Sequence, residues 1–191
     1  MSATSAVAES RSVSDILVSQ AGLQADDFTL FDLPRQFALD RAAVDARWKA
    51  MQREAHPDRF AAQGASAQRI AMQWSVRINE AYQRLKEPLS RAAYLCELAG
   101  VPVQAQTNTA MPAQFLMQQM EWREELEAAN TSLELDAIVE MVERERIKML
   151  QQCEHALDVA HEPAQAVSAV RSLMFIDKFL QDVHQRIDQI S

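Results

Sequence analysis

The stretch Met51-Gln52-Arg53-Glu54-Ala55-His56-Pro57-Asp58-Arg59-Phe60 runs from a strongly patterned helix into a proline. Pro57 disfavours the α conformation at His56 and ends that helix, so the His56 imidazole and the Asp58 carboxylate are expected on a loop, displayed and not buried. Upstream, Val44, Trp48, Met51 and Ala55 recur at offsets 0, 4, 7 and 11 and define a buried stripe. Asp40 is placed to cap this helix, with Leu39 and Val44 as a hydrophobic staple. Lys49 and Arg53, four residues apart, share the opposite face and make a small cationic surface leading to the loop. Downstream, beyond a polar loop to Ser66, the positions Ile70, Trp74, Ile78, Ala81 and Leu85 fall on one face of a second long helix. Two such helices joined by a short loop should pack as an antiparallel hairpin with His56 and Asp58 at its tip.

Composition points the same way. The chain has only three glycines and no run of alternating β-branched residues, while Ala, Gln, Leu, Glu and Arg dominate its long segments. The fold class expected is all-α. The formal net charge of −8 is unevenly spread: residues 1–111 hold 12 Lys or Arg against 12 Asp or Glu, and residues 112–191 hold 7 against 15. An acidic C-terminal part disfavours a phosphate-binding face, so no nucleic acid is expected as a partner. No apolar run approaches the ~20 residues that span a bilayer, so no membrane is expected either. Cys96 and Cys153 lack metal spacing and read as buried thiols in a reducing compartment.

Taken in order, residues 1–26 read as a flexible extension, with a short helix from Asp15 to Val18 as the alternative. Phe28, Leu30, Phe31 and Leu33 form one or two helical turns stopped at Pro34. Pro88 suits the start of a helix through Leu95 that Gly100 can terminate. Residues 101–111 read as a connector, and a helix follows from Pro112 to about Ala129. Thr131 and Glu134 fit a capping box for a long helix with the stripe Leu135, Ile138, Val139, Val142, Met149, Leu150 and Cys153. Pro163 opens a last helix with Leu173, Ile176, Leu180, Val183 and Ile187 on one side. Three such helices can bury their stripes against one another.

The run from Asp27 to Leu98 resembles a J domain: short helix, basic helix, His-Pro-Asp, then Ile78-Asn79-Glu80-Ala81-Tyr82 with Leu85, continued by Lys86-Glu87-Pro88-Leu89-Ser90-Arg91-Ala92-Ala93-Tyr94-Leu95. The opening Phe28-Thr29-Leu30-Phe31-Asp32-Leu33-Pro34 is similar to HscB, the J-protein family of iron–sulfur cluster assembly. The resemblance implies a J domain over 27–100, a connector over 101–111 and a C-terminal three-helix bundle over 112–191. It implies two partners: an HscA-type heat-shock 70 kDa chaperone, whose ATPase is stimulated through His56, Pro57 and Asp58 with Lys49 and Arg53 beside them, and an IscU-type scaffold protein. The sequence departs from the wider J-domain pattern at Asp45 and Ala50, where basic residues are common, and at Ala55, where an aromatic is usual.

For the scaffold, the resemblance implies Leu116, Met117, Met120 and Phe175, with Glu121 and Glu124 alongside. Periodicity alone leaves this open: Leu116 and Met120 form a ledge rotated from the Phe115, Trp122 and Leu126 stripe, and Phe175 lies off the Leu173, Ile176 and Leu180 stripe, which is also what a wider core looks like. No catalytic residue, cofactor or metal site is expected. His155, His161 and His184 lack ligand-spaced partners, phosphate-binding and nucleophile-elbow motifs are absent, and so is the paired-cysteine metal module of some eukaryotic relatives. The expectation is thus a bacterial, cytoplasmic co-chaperone and not an enzyme. A J-protein for another client, or a helical adaptor whose J domain does not stimulate, are the alternatives.

Overall fold

The computed structural model describes residues 24–103 and 111–190, and every regular element among them is helical, as the sequence predicts. By packing, the described residues divide into two compact units, one within residues 1–35 and 39–87 and the other within residues 36–38 and 88–191.

In the first unit, α1 (Asp27–Phe31) is short because both ends are capped within a few residues. The Asp26 carboxylate accepts from the Phe28 and Thr29 amides at 3.1 Å, and Asp32 turns left-handed at φ 53° so that its amide and that of Leu33 close on Thr29 and Phe28 carbonyls. Arg47 donates to the Phe31 carbonyl at 2.8 Å and the Asp32 carboxylate at 3.0 Å, fixing this cap to α2 (Arg41–Ala55). The predicted cap of α2 is present, Asp40 accepting from the Ala42 amide at 3.0 Å. Val44, Met51 and Ala55 are buried as predicted, whereas Trp48 is only half-buried. Its ring stacks on Tyr82 at 4.6 Å, and its indole N–H donates to Asn79 on α3 (Ala65–Lys86).

On α3 the residues Trp74, Ile78, Ala81 and Leu85 are buried, but the expectation fails at Ile70, which is 51% exposed. The reason is geometric. The end of α2 lies level with Ser75, whose hydroxyl donates to the Ala55 carbonyl at 3.1 Å, so the first turns of α3 extend past the end of their partner helix. Ala71 joins the buried stripe in its place. A feature with no signature in the sequence holds α1 to α3: Asp27 is fully buried, with Arg84 at 2.6 Å and Arg77 at 2.7 Å. The Arg77 contact is an ion pair without a well-aligned hydrogen bond from Nη1.

The second unit comprises α4 (Pro88–Leu98), α5 (Ala113–Ala128), α6 (Ser132–Glu154), a π-helical turn at His155–Val159 and α7 (Pro163–Ile190). The capping box at Thr131 and Glu134 forms as predicted, as does the start of α7 at Pro163. Gly100, at φ 76°, closes α4 through Val101 N–H to the Cys96 carbonyl at 3.0 Å. This partition groups α4 with the helices that follow, whereas the sequence reading ran its first domain from 27 to 100. Packing explains the difference: Ala92, Leu95 and Cys96 are buried, and α4 packs on α6 and α7. Buried Arg91 donates to the Phe37 carbonyl at 2.7 Å and lies over the Phe37 ring. In the π turn, the Asp158 carboxylate accepts from the Phe37 and Ala38 amides at 2.7 and 2.8 Å, which is why residues 36–38 belong with this unit. Of the 101–111 connector, Val103 is buried and its carbonyl accepts from Arg171 at 2.8 Å, while residues 104–110 lie outside the described residues. The same holds for residues 1–23 of the expected extension, including the alternative helix at Asp15–Val18.

Candidate functional site

The tip of the first unit is built by the proline. His56 adopts an extended conformation (φ −64°, ψ 126°) and α2 stops there. The residues after it were expected to form a loop; they form a 3-10 helix, Pro57–Gln63, ended by Gly64 at φ 93°. Pro57 starts this helix because its missing N–H is one the first turn does not need. His56 caps it, Nδ1 accepting from the Asp58 amide at 3.3 Å. That bond puts the proton of a neutral imidazole on Nε2. The Asp58 carboxylate is 89% exposed and lies 3.6 Å from His56 Nδ1. The three residues therefore play different parts: Pro57 ends one helix and opens another, His56 orients the backbone between them, and Asp58 presents an acceptor to solvent.

Lys49 and Arg53 are exposed on α2, as predicted, and Arg53 reaches back along its own helix to the Lys49 carbonyl. Arg59, not singled out from sequence, donates to the Arg53 carbonyl at 3.2 Å and so covers the open C-terminal end of α2. The acidic departure at Asp45 is neutralised locally. Arg41 at 2.8 Å and the Tyr82 hydroxyl at 2.9 Å hold its carboxyl below the usual carboxylate range, the Arg41 bond being the larger cause. Ala55 is buried, so the usual aromatic before the histidine has no exposed counterpart here.

In the second unit, Leu116, Met117 and Met120 are 46%, 64% and 63% exposed, with Glu121 and Glu124 exposed beside them. The ledge seen in the sequence is thus a surface and not a wider core. Phe175 differs from expectation. It is half-buried in an aromatic cluster, edge-on to Phe115 at 5.9 Å and stacked against Phe179 at 6.1 Å and Trp122 at 6.4 Å. The Arg123 guanidinium covers its ring at 5.6 Å. α5 meets α7 through these rings, which widens the buried stripe of α7 by one residue to take in Phe175. Phe179 and Arg123 were not singled out because an i, i+4 aromatic pair and a lone surface arginine have no distinctive spacing.

Among the described residues no group of three or more His, Cys, Asp or Glu could hold a metal ion. Burial pushes the Cys96 thiol up to about 11, and burial together with neighbouring Cys96 pushes Cys153 up to about 12, so both stay protonated at neutral pH. An open groove of about 440 Å³ between α5 and α6 is lined by Ala128, Ala129, Ile138 and Met141, with Glu134 at its edge engaged in the capping box. No described helix is long and apolar enough to cross a membrane.

Residues 111–184 match the family model described as the HSCB C-terminal oligomerisation domain. The co-chaperone protein HscB homolog of Burkholderia multivorans is 48% identical over 171 residues, covering 88% of this chain and 97% of its own length. That of Cupriavidus taiwanensis is 46% identical over 171 residues, with the same coverages. Among solved structures, chaperone HscB from Vibrio cholerae superimposes with a TM-score of 0.80 at 37% identity, covering 87% of this chain and 100% of that one. Human co-chaperone protein HscB gives 0.80 at 26% identity, covering 85% and 82%.

Proposed function

The chain belongs to the HscB family of co-chaperones, with an N-terminal J domain and a C-terminal helical domain, and from that premise we propose that it stimulates the ATPase of an HscA-type heat-shock 70 kDa chaperone and delivers an IscU-type scaffold to it. The observation that carries this reading is the Asp58 carboxylate, 89% exposed at the hairpin tip and set there by a histidine cap and a proline. Such a group can accept a charge-assisted hydrogen bond from a partner arginine, worth about 1.5–3 kcal/mol once desolvated. Lys49 and Arg53 add steering toward an acidic surface. The Leu116, Met117 and Met120 ledge, with Glu121 and Glu124 at its rim and Phe175 at its edge, has the apolar centre and polar border of a protein-binding hot spot, and it receives the scaffold.

In functional terms residues 27–100 face the ATPase, 101–111 connect, and 112–191 hold the client. Joining the two modules raises the local concentration of one partner near the other, so hydrolysis is coupled to delivery without a catalytic residue in this chain. The setting is the bacterial cytoplasm. The test is ATP turnover by the purified chaperone with and without this protein: stimulation by the parent and its loss in Asp58→Asn is the expected result. An Asp58→Asn variant that stimulates as well as the parent refutes the role of the tip.

A further inference from the structure

Of the methionines among the described residues, Met72, Met117 and Met120 are 61%, 64% and 63% exposed, Met51 and Met149 are buried, and the others are partly so. Two of the three open thioethers therefore lie one turn apart on α5, inside the apolar ledge proposed to receive the scaffold. The third lies on α3 in the first unit. A leucine at either ledge position would supply similar contact area, and methionine adds pliability. At this exposure it also puts a sulfur within reach of a small oxidant in solvent. The two thiols are not in competition for that oxidant: Cys96 and Cys153 are buried, and burial holds them protonated.

Oxygen transfer from hydrogen peroxide to a thioether balances within the pair. The sulfur lone pair attacks one peroxide oxygen, the O–O bond breaks as the S–O bond forms, and the proton of the transferred oxygen leaves with the other oxygen as water. The thioether loses two electrons and the peroxide gains them. The product is a sulfoxide, a polar hydrogen-bond acceptor where an apolar group stood. The side chains spaced to meet that oxygen are acceptors too: Glu121 follows Met117 by four residues and Glu124 follows Met120 by four, each pair on one face of α5, and all four residues are exposed. Arg123, the one cation of α5, lies over the Phe175 ring at 5.6 Å. A sulfoxide formed here takes its hydrogen bonds from water and gives them up when a partner fitted to an apolar ledge covers it.

We propose that Met117 and Met120 are an oxidation site that controls scaffold docking: peroxide converts them to sulfoxides, the ledge turns polar and releases the scaffold, and a methionine sulfoxide reductase restores it. The proposal rests on the reading of the ledge as the scaffold's docking surface. At the tip, none of Lys49, Arg53, His56, Pro57 and Asp58 carries a thioether, so the oxidant cuts delivery of the client while leaving those groups chemically unchanged.

The experiment treats the full-length protein alone with hydrogen peroxide, removes the peroxide, and titrates an IscU-type scaffold calorimetrically, with peptide mass spectrometry reading oxygen uptake at each methionine. Met117 and Met120 should gain oxygen ahead of Met51 and Met149, at a melting temperature within a few degrees of the untreated protein's because both ledge residues face solvent. The Kd should rise about tenfold, or about 1.4 kcal/mol, and return on incubation with methionine sulfoxide reductases. Met117→Leu with Met120→Leu removes both thioethers. Compared with its own untreated form, this double variant should change by less than about twofold on treatment, whereas Met72→Leu should lose as much as the parent. Recovery is read on the parent itself, so the result stands whatever affinity the leucines leave. An oxidised parent whose Kd stays within about twofold of the untreated value overturns the proposal, as does a loss that the double variant shares or that the reductases do not reverse. No binding of scaffold by the untreated parent fails the reading of the ledge, and the proposal with it.

Discussion

Phe175 is expected to be a structural residue as well as a binding one, and replacing it by alanine measures how much of each. Truncating a fully buried phenylalanine costs about 3–5 kcal/mol. Phe175 is partly buried, so a value below that range applies, and its edge contact with Phe115, its stacking on Phe179 and the covering Arg123 guanidinium are lost with it. Phe175→Ala should therefore lower the stability of the C-terminal unit by about 2 kcal/mol. Leu116 and Met120 are 46% and 63% exposed, so Leu116→Ala and Met120→Ala should each cost below about 0.5 kcal/mol. Urea denaturation of the full chain followed by circular dichroism reads these differences. Calorimetric titration with an IscU-type scaffold then separates the roles: the Leu116→Ala, Met120→Ala double variant should weaken binding at unchanged stability. A Phe175→Ala variant as stable as the parent would refute the burial reasoning, and undiminished scaffold affinity in the double variant would reject the ledge as the docking surface.

Asp27→Asn removes the charge buried between Arg77 and Arg84; because Arg84 is partly exposed, the loss should be about 2–4 kcal/mol in the urea transition of the first unit, and a value below about 0.5 kcal/mol would show that the pair is not under tension from burial. Glu134 provides a pH-dependent term. Its carboxyl is held below the ordinary value of 4.5, chiefly by the Asn130 amide and then by Thr131. Because the folded value is depressed, the stabilisation is present above about pH 4.5 and is lost as pH falls through the folded value. Acid melts of Glu134→Gln should be flatter than the parent's over that range; parallel curves would remove the capping box from the acid response.

The resemblance drawn from Phe28-Thr29-Leu30-Phe31-Asp32-Leu33-Pro34 and His56-Pro57-Asp58 predicted the family and the all-helical fold, because these depend on local signals: apolar spacing, capping residues and prolines in fixed places. The cap at Asp40, the box at Thr131 and Glu134 and the start at Pro163 form as read, each being a bond within one turn of the chain. The exposure of Ile70, the half-buried Phe175 and the grouping of α4 with residues 36–38 were not legible. Each depends on what lies opposite a helix, which periodicity does not report.

The sequence by itself therefore determined where the long α-helices lie and that the chain displays a histidine and an aspartate after one of them. Only the tertiary structure decided which displayed groups are free. Arg41 and Tyr82, four and 37 residues from Asp45, occupy its carboxylate, and His56 turns inward as a cap while Asp58 stays 89% exposed. A side chain's availability is set by its neighbours in space, and those are chosen by packing between helices, over distances along the chain at which spacing rules carry no information.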